Sequence, residues 1–188
     1  MSSNLEKLDL VPPDKVKGFF GSYYPSPELA SHFINNKLEE IYSVKRVHII
    51  VNPFAGKKNG NKIANLISQE LQELKIDSIT YTTEYANHAE KIVSDISFET
   101  GDSLMSVGGD GTISEIITGL LKRKDSSSDS VPLSIVPSGS GNSQANDMEV
   151  ADYLDAMQRM TVGNLRKMDV GKVTFMVDGK EQIRYSHN

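Results

Sequence analysis

Asp110 stands among three glycines in the segment SLMSVGGDGTISEIITGLL (Ser103–Leu121), where an apolar strand-like run gives way to an amphipathic helix. A carboxylate in this setting can accept a proton from an attacking hydroxyl, or it can bind the magnesium ion that accompanies a nucleoside triphosphate. It can instead cap a helix that begins at Gly111 or Thr112. Capping does not explain glycines on both sides, so the pattern favours chemistry for Asp110. Glu115 either stabilises its own helix through a favourable interaction with the helix dipole, or faces the same cleft.

Glycine-rich segments recur after three strand-like runs. NPFAGKKNG follows RVHIIV, GGDGT follows SLMSV, and SGSGNS follows PLSIVP. Glycine lets the backbone approach a ligand closely, and a loop that enters a helix points N–H groups at an anion. A tight turn also explains each loop taken alone. The three together indicate a site for polyphosphate.

Two standard nucleotide motifs do not fit these loops. A Walker A motif that starts at Gly56 needs a glycine before Lys62, where the chain has Asn61. A Rossmann fingerprint that starts at Gly139 needs a glycine or alanine where the chain has Gln144. The four histidines lack the spacing of metal ligands, so the sequence predicts no metal site built from side chains.

Alternating strands and helices must position these loops. The predicted strands cover residues 46–51, 78–83, 103–107 and 132–137. The predicted helices cover residues 61–74, 87–96 (with Asn87 as N-cap), a stretch from Gly111 or Thr112 to Leu121, and residues 151–160. This alternation predicts an α/β fold with an open parallel sheet flanked by helices. Ligands of such sheets bind outside the carboxyl ends of the strands, where all three glycine loops fall.

The pattern changes at both ends of the chain. We predict an N-terminal extension over residues 1–44, with a helix over Ser26–Tyr42. The segment before that helix either packs on the core or is a poorly ordered tail. Residues 45–166 form the predicted nucleotide-binding domain. Residues 167–188 are predicted to form a hairpin around Asp178-Gly179 that opens a second, β-rich domain.

Bulk composition limits the possible partners and location. The 188 residues carry a formal net charge of -5, which argues against binding to nucleic acid through phosphate contacts. The absence of cysteine fits a reducing compartment. The first residues lack the pattern of a signal peptide, so we expect a cytoplasmic protein. The aromatic residues at 19–24 suit either packing on the core or peripheral contact with a membrane, and the sequence assigns no oligomeric state.

Three stretches, VNPFAGKKNGNK, SVGGDGTISEIITGL and PSGSGNSQAND, together resemble the diacylglycerol-kinase catalytic domain family, and most closely its sphingosine (long-chain base) kinase branch. The segment TTEYANHAEKIV between the first two is similar to a segment of that branch. The resemblance implies the nucleotide-domain architecture shared with NAD kinases. It also implies transfer of the γ-phosphate of magnesium ATP to the primary hydroxyl of a lipid, with a sphingoid base as the closest match.

The resemblance also implies roles for individual residues. Asp110 would be the general base and would contact the lipid substrate. The residues that would contact ATP are Asn52, Pro53, Phe54, Thr83, Asn87, Gly108, Gly109, Gly111, Glu115, Gly139, Ser140 and Gly141. The glycines among them would cradle the phosphates, and Thr83 and Asn87 would line the nucleotide further along.

This sequence departs from the family pattern in two ways. Sphingosine kinases more often have serine at the position of Gly108, so diacylglycerol is a second possible substrate. Family members continue into a second, β-sandwich-like domain that holds the lipid pocket, which has no counterpart beyond the hairpin. We therefore expect these 188 residues to retain nucleotide binding with weak or absent lipid kinase activity. The same motifs would also suit an NAD-kinase-like enzyme or a nucleotide-binding module without catalysis.

Overall fold

The computed structural model describes residues 42–125, 130–163, 165, 168 and 170–186. These residues form, in chain order, β1 (Arg46–Val51), α1 (Gly60–Glu73), β2 (Asp77–Thr82), α2 (His88–Asp95), β3 (Asp102–Gly108), α3 (Asp110–Leu121), β4 (Leu133–Pro137), α4 (Ser143–Asp147), α5 (Tyr153–Val162), β5 (Gly171–Val177) and β6 (Lys180–Ser186). The extension predicted for residues 1–44 and the helix predicted within it lie almost wholly outside the described residues.

Four strands form a parallel sheet in the order β2-β1-β3-β4. Both faces of the sheet are covered, so β1 and β3 are buried along nearly their whole length. On one face Val47, Ile49 and Val51 pack with α1 and α5, and on the other Ile50 and Leu104 pack with α2 and α3. The predicted α/β fold with an open parallel sheet flanked by helices is confirmed.

Most predicted helix boundaries lie within one or two residues of those observed. The last long helix begins at Tyr153 rather than at Ala151, because Asp152 caps it. The Asp152 carboxylate accepts the backbone N–H groups of Leu154 at 2.9 Å and Asp155 at 3.0 Å. The five-residue helix α4, immediately after the third glycine loop, was not predicted from the sequence.

The hairpin predicted around Asp178-Gly179 is present as the antiparallel pair β5–β6. Asp178 and Gly179 have φ values of 50° and 74°, the left-handed pair that a tight two-residue hairpin turn requires. Strand β5 is exposed along its whole length, and β6 contacts α3 through Tyr185. Whether this hairpin opens a second domain stays a prediction.

Asp102 is the centre of a buried polar cluster at the amino-terminal end of the sheet. Its carboxylate accepts two hydrogen bonds from Arg46, at 2.9 and 2.7 Å, and lies 3.1 Å from Nε2 of His48. It also accepts the N–H of Glu99 at 2.8 Å. Burial raises the pKa of the Asp102 carboxyl, but these hydrogen bonds outweigh burial and hold its pKa below the usual value. The cluster ties the starts of β1 and β3 together, far from the glycine loops.

Within the described ranges, no helix has the length and apolar character needed to cross a membrane.

Candidate active site

Three loops meet at the carboxyl edge of the parallel sheet. They follow β1, β3 and β4, which are consecutive neighbours in the sheet. Backbone hydrogen bonds hold the strand ends together: the N–H of Asn52 donates to the carbonyl of Val107 at 3.0 Å, and the N–H of Ser138 to that of Gly108 at 2.9 Å. The predicted convergence of the glycine loops is therefore present.

The loops touch through their glycine backbones. A Cβ atom built on Gly139 would lie 2.5 Å from the Cα of Gly109. A Cβ atom on Gly56 would lie 2.6 Å from the carbonyl oxygen of Ser138, and Gly56 also has a positive φ of 49°. No side chain fits at these distances, so glycine is what allows three separate loops to form one surface.

The other glycines of the site differ in their surroundings. A Cβ atom on Gly108 would lie 2.5 Å from Oγ1 of Thr112 and 2.7 Å from its Cβ, so packing requires glycine there. A Cβ atom on Gly111 would meet nothing within 4 Å, which leaves open space beside the first turn of α3. A Cβ atom on Gly141 would lie 3.4 Å from Oδ2 of Asp110. The third loop therefore runs directly past the Asp110 carboxylate.

Asp110 is the first residue of α3, and Gly109 is the N-cap. The Asp110 carboxylate therefore does not cap α3 from a position before the helix. Instead, Oδ2 accepts the N–H of Ser143 and Oδ1 accepts the N–H of Gln144, both at 3.1 Å. Asp110 thus caps the start of α4 and ties the second glycine loop to the third.

Asn142 closes the third loop and was not predicted as a site residue. Its Oδ1 accepts the N–H of Gly139 at 2.7 Å, and its Nδ2 donates to the carbonyl of Gly139 at 3.0 Å. Its left-handed φ of 55° is one that asparagine tolerates better than most residues. The ring so formed presents Ser140 at the surface. An asparagine immediately after Gly-Ser-Gly was the available sequence signal.

The first loop contributes Asn52, Pro53 and Phe54. The side chain of Asn52 donates to Oγ1 of Thr112 at 3.3 Å and accepts the N–H of Phe54 at 3.0 Å, so it joins the first loop to α3. Pro53 is half-buried, whereas Phe54 is 68% exposed. The structure thus leaves the apolar ring of Phe54 exposed on the first loop.

Glu115 joins α3 to the start of α2. Its Oε1 accepts the N–H of Asn87 at 2.9 Å, and its Oε2 accepts the N–H of Ala89 at 3.1 Å. The prediction that the Asn87 side chain caps α2 is wrong: it makes no capping bond, and its φ of 66° is not that of a usual N-cap residue. Thr83, buried after β2, donates its N–H to the carbonyl of Val51 at 2.8 Å.

Arg184 is a second residue that the sequence did not single out. Its Nη2 donates to Oδ1 of Asn87 at 2.8 Å, across 97 positions of the chain. No local pattern indicates such a contact, because it depends on where β6 lies against α3.

The architecture is that of an open parallel α/β protein whose three glycine loops meet at one edge of the sheet, beside the Asp110 carboxylate. The family model for the diacylglycerol kinase catalytic domain matches residues 46–173. The chain belongs to this family, as the resemblance in its sequence implied.

The similar proteins include both sphingosine kinases and diacylglycerol kinases. Sphingosine kinase B of Dictyostelium discoideum is 29% identical over 143 residues, which are 76% of this chain and 19% of that protein. Sphingosine kinase 1 of Arabidopsis thaliana is 33% identical over 119 residues, covering 62% of this chain and 24% of that protein. Diacylglycerol kinase of Bacillus subtilis (strain 168) is 29% identical over 132 residues, covering 69% of this chain and 42% of that protein. The chain therefore spans less than half the length of each of these relatives.

A crystal structure of a diacylglycerol kinase from Bacillus anthracis str. Sterne has the same fold, with a TM-score of 0.53 and 24% identity. The match covers 73% of this chain and 47% of that one.

Proposed function

We propose that this chain is the nucleotide-binding part of a lipid kinase, which transfers the γ-phosphate of magnesium ATP to the primary hydroxyl of a sphingoid long-chain base. The observation that carries the proposal is the meeting of three glycine loops at the carboxyl edge of the sheet, where the third loop contacts the Asp110 carboxylate of the second. Family membership supports the same reaction class.

The loops fit a chain of phosphates. The first N–H groups of a helix have no partner within that helix, and they attract anions. Beside the first turn of α3, a Cβ atom on Gly111 would meet nothing within 4 Å, so space is available there for a phosphate. Gly109, Gly139 and Ser140 would form the opposite wall. Bound magnesium ATP would supply the phosphoryl group and the cation that neutralises charge during its transfer.

Asp110 would accept the proton of the lipid hydroxyl as its oxygen attacks phosphorus. The bond from that oxygen to phosphorus forms, the bond from the γ-phosphorus to ADP breaks, and the proton passes to the carboxylate. The N–H groups of Ser143 and Gln144 would hold the carboxylate in place for this step. Asn52, Pro53, Phe54, Thr83, Asn87 and Glu115 would border the nucleotide.

The choice of a sphingoid base rests on the resemblance and on the names of the similar proteins. Gly108, where sphingosine kinases more often carry serine, has a packing reason of its own, since Thr112 fills the space of a side chain. Gly108 therefore does not favour diacylglycerol over a sphingoid base. The phosphorylation of diacylglycerol by this chain would revise the substrate and leave the reaction class intact.

The test measures magnesium ATP binding by calorimetry and then labelled phosphate transfer to sphingosine or diacylglycerol. The variant Asp110→Asn is expected to keep nucleotide affinity within about threefold and to lower any transfer about 100-fold or more, because the proton acceptor is lost. Asp147→Asn is the matched control, since it neutralises an exposed carboxylate at the end of α4. Absence of nucleotide binding, or measurable transfer that is equal in Asp110→Asn and wild type, would overturn the proposal.

A further inference from the structure

The β5–β6 hairpin reaches the proposed nucleotide site through one side chain. Arg184, on β6, donates from Nη2 to Oδ1 of Asn87 at 2.8 Å. Asn87 is the N-cap position of α2, and its backbone N–H donates to Glu115 at 2.9 Å. A residue of the hairpin therefore contacts the same short segment that Glu115 fixes from α3.

Two side chains of α3 anchor the backbone of β6 beside this contact. Ser114 donates from Oγ to the carbonyl of Tyr185 at 2.8 Å, and the N–H of Tyr185 donates to Oγ1 of Thr118 at 3.2 Å. Ser114 and Thr118 are four residues apart, so they lie on one face of the helix. They fix the position of the residue next to Arg184, and so set the direction from which Arg184 approaches Asn87.

Polar contacts matter to this hairpin because it has little apolar packing. All seven residues of β5 are exposed, and an isolated two-stranded hairpin is marginally stable at best. The position of β6 therefore depends on the packing of Tyr185 against the core and on its two backbone bonds to α3, to which Arg184 adds one exposed contact. Conversely, Asn87 has a left-handed backbone conformation, and its side chain makes no capping bond. The hydrogen bond from Arg184 therefore restrains the Asn87 side chain.

We propose that Arg184 is a positioning residue of the nucleotide site, which orients the Asn87 amide for the bound nucleotide and thereby couples nucleotide binding to docking of the hairpin. The inference rests on the proposed function, because Asn87 is a nucleotide contact only if the site binds ATP. Coupling of this kind is reciprocal: a docked hairpin strengthens nucleotide binding, and bound nucleotide stabilises the docked hairpin.

The test compares Arg184→Gln with Lys180→Gln in the full 188-residue chain. Both changes remove one positive charge from β6, but Lys180 lies four residues earlier, about 13 Å along the strand. Calorimetry with magnesium ATP is expected to give about three- to tenfold weaker binding for Arg184→Gln and no change for Lys180→Gln. The midpoint temperature of thermal unfolding, measured without nucleotide, is expected to be the same for both variants. Hydrogen exchange should show that magnesium ATP protects β5 and β6 in the wild type and not in Arg184→Gln.

A double-mutant cycle separates positioning from direct contact with ATP. Asn87→Gly removes the amide and suits the left-handed backbone at this position. If Arg184 acts through Asn87, then Arg184→Gln has no further effect on affinity in the Asn87→Gly background. A full and additive loss in that background, or unchanged affinity of Arg184→Gln, would overturn the inference. A wild type that does not bind magnesium ATP would instead overturn the proposed function.

Discussion

At the scale of single residues, each glycine of the site has different surroundings and therefore a different physical effect. Gly139 and Gly109 allow two backbones to touch, and Gly108 makes room for the side chain of Thr112. Gly111 has no neighbour that excludes a Cβ atom. The sequence GGDGT therefore contains two glycines that stand at close approaches, Gly108 and Gly109, and a third, Gly111, that leaves open space.

Gly108→Ala is expected to destabilise the protein by about 1–3 kcal/mol, because the new methyl group would overlap Thr112 at the end of a buried strand. Urea unfolding measures this change. Gly111→Ala is the matched control, and we expect it to leave stability unchanged or to raise it by up to about 1 kcal/mol, since alanine favours a helix over glycine. Equal stability of Gly108→Ala and wild type would contradict the packing account.

Sequence reasoning at this scale found residues that stand in recognisable patterns. Asp110 was found because glycines surround it, whereas its hydrogen bonds to Ser143 and Gln144 depend on how two loops pack. Asn87 was predicted as a helix cap by its residue type, but Glu115 takes the N–H groups instead. Arg184 carried no local signal. Contacts between distant segments are set by tertiary packing, which a single sequence does not display.

At the scale of elements, the strands and long helices followed from apolar periodicity. The predicted strand 46–51 has the observed bounds of β1, and the predicted helix 61–74 is shifted by one residue from α1. The short helix α4 escaped prediction because five residues carry little periodicity, and its first N–H groups are satisfied by Asp110 from another loop.

The Asp102 cluster, which ties β1 to β3, should make the stability of the fold depend on pH. The folded-state pKa of Asp102 lies below its unfolded value of about 3.9, so its stabilising effect is present above pH 4 and is lost as pH falls through the folded pKa. Asp102→Asn is expected to lower stability by about 1–3 kcal/mol at pH 7, where the variant leaves Arg46 and His48 poorly paired. The difference from wild type should shrink below pH 4.

Denaturant unfolding at a series of pH values measures this difference. Asp147→Asn serves as the control, because Asp147 is exposed and lies at the opposite edge of the sheet from the cluster. A constant gap between wild type and Asp102→Asn from pH 7 to pH 3 would contradict the account of the cluster.

At the scale of the whole molecule, one end of the sheet holds the Asp102 cluster and the other carries the proposed nucleotide site. The Asp102 cluster ties the amino ends of β1 and β3, and the glycine loops occupy their carboxyl ends. This division follows from parallel strands, whose carboxyl ends all meet at one edge. The fold class was therefore predictable from the sequence, whereas the docking of the hairpin on α3 was not.

The proposed function depends above all on binding of magnesium ATP by the three glycine loops next to Asp110. The most direct measurement is backbone amide NMR during a titration with magnesium ATP. We predict saturable shifts with a dissociation constant between about 1 μM and 1 mM, in the range usual for enzyme substrates. The shifts should concentrate in residues 52–59, 108–112 and 138–142, and leave Arg46 and Asp102 unaffected. No saturable shift, or shifts centred on the Asp102 cluster, would contradict the claim.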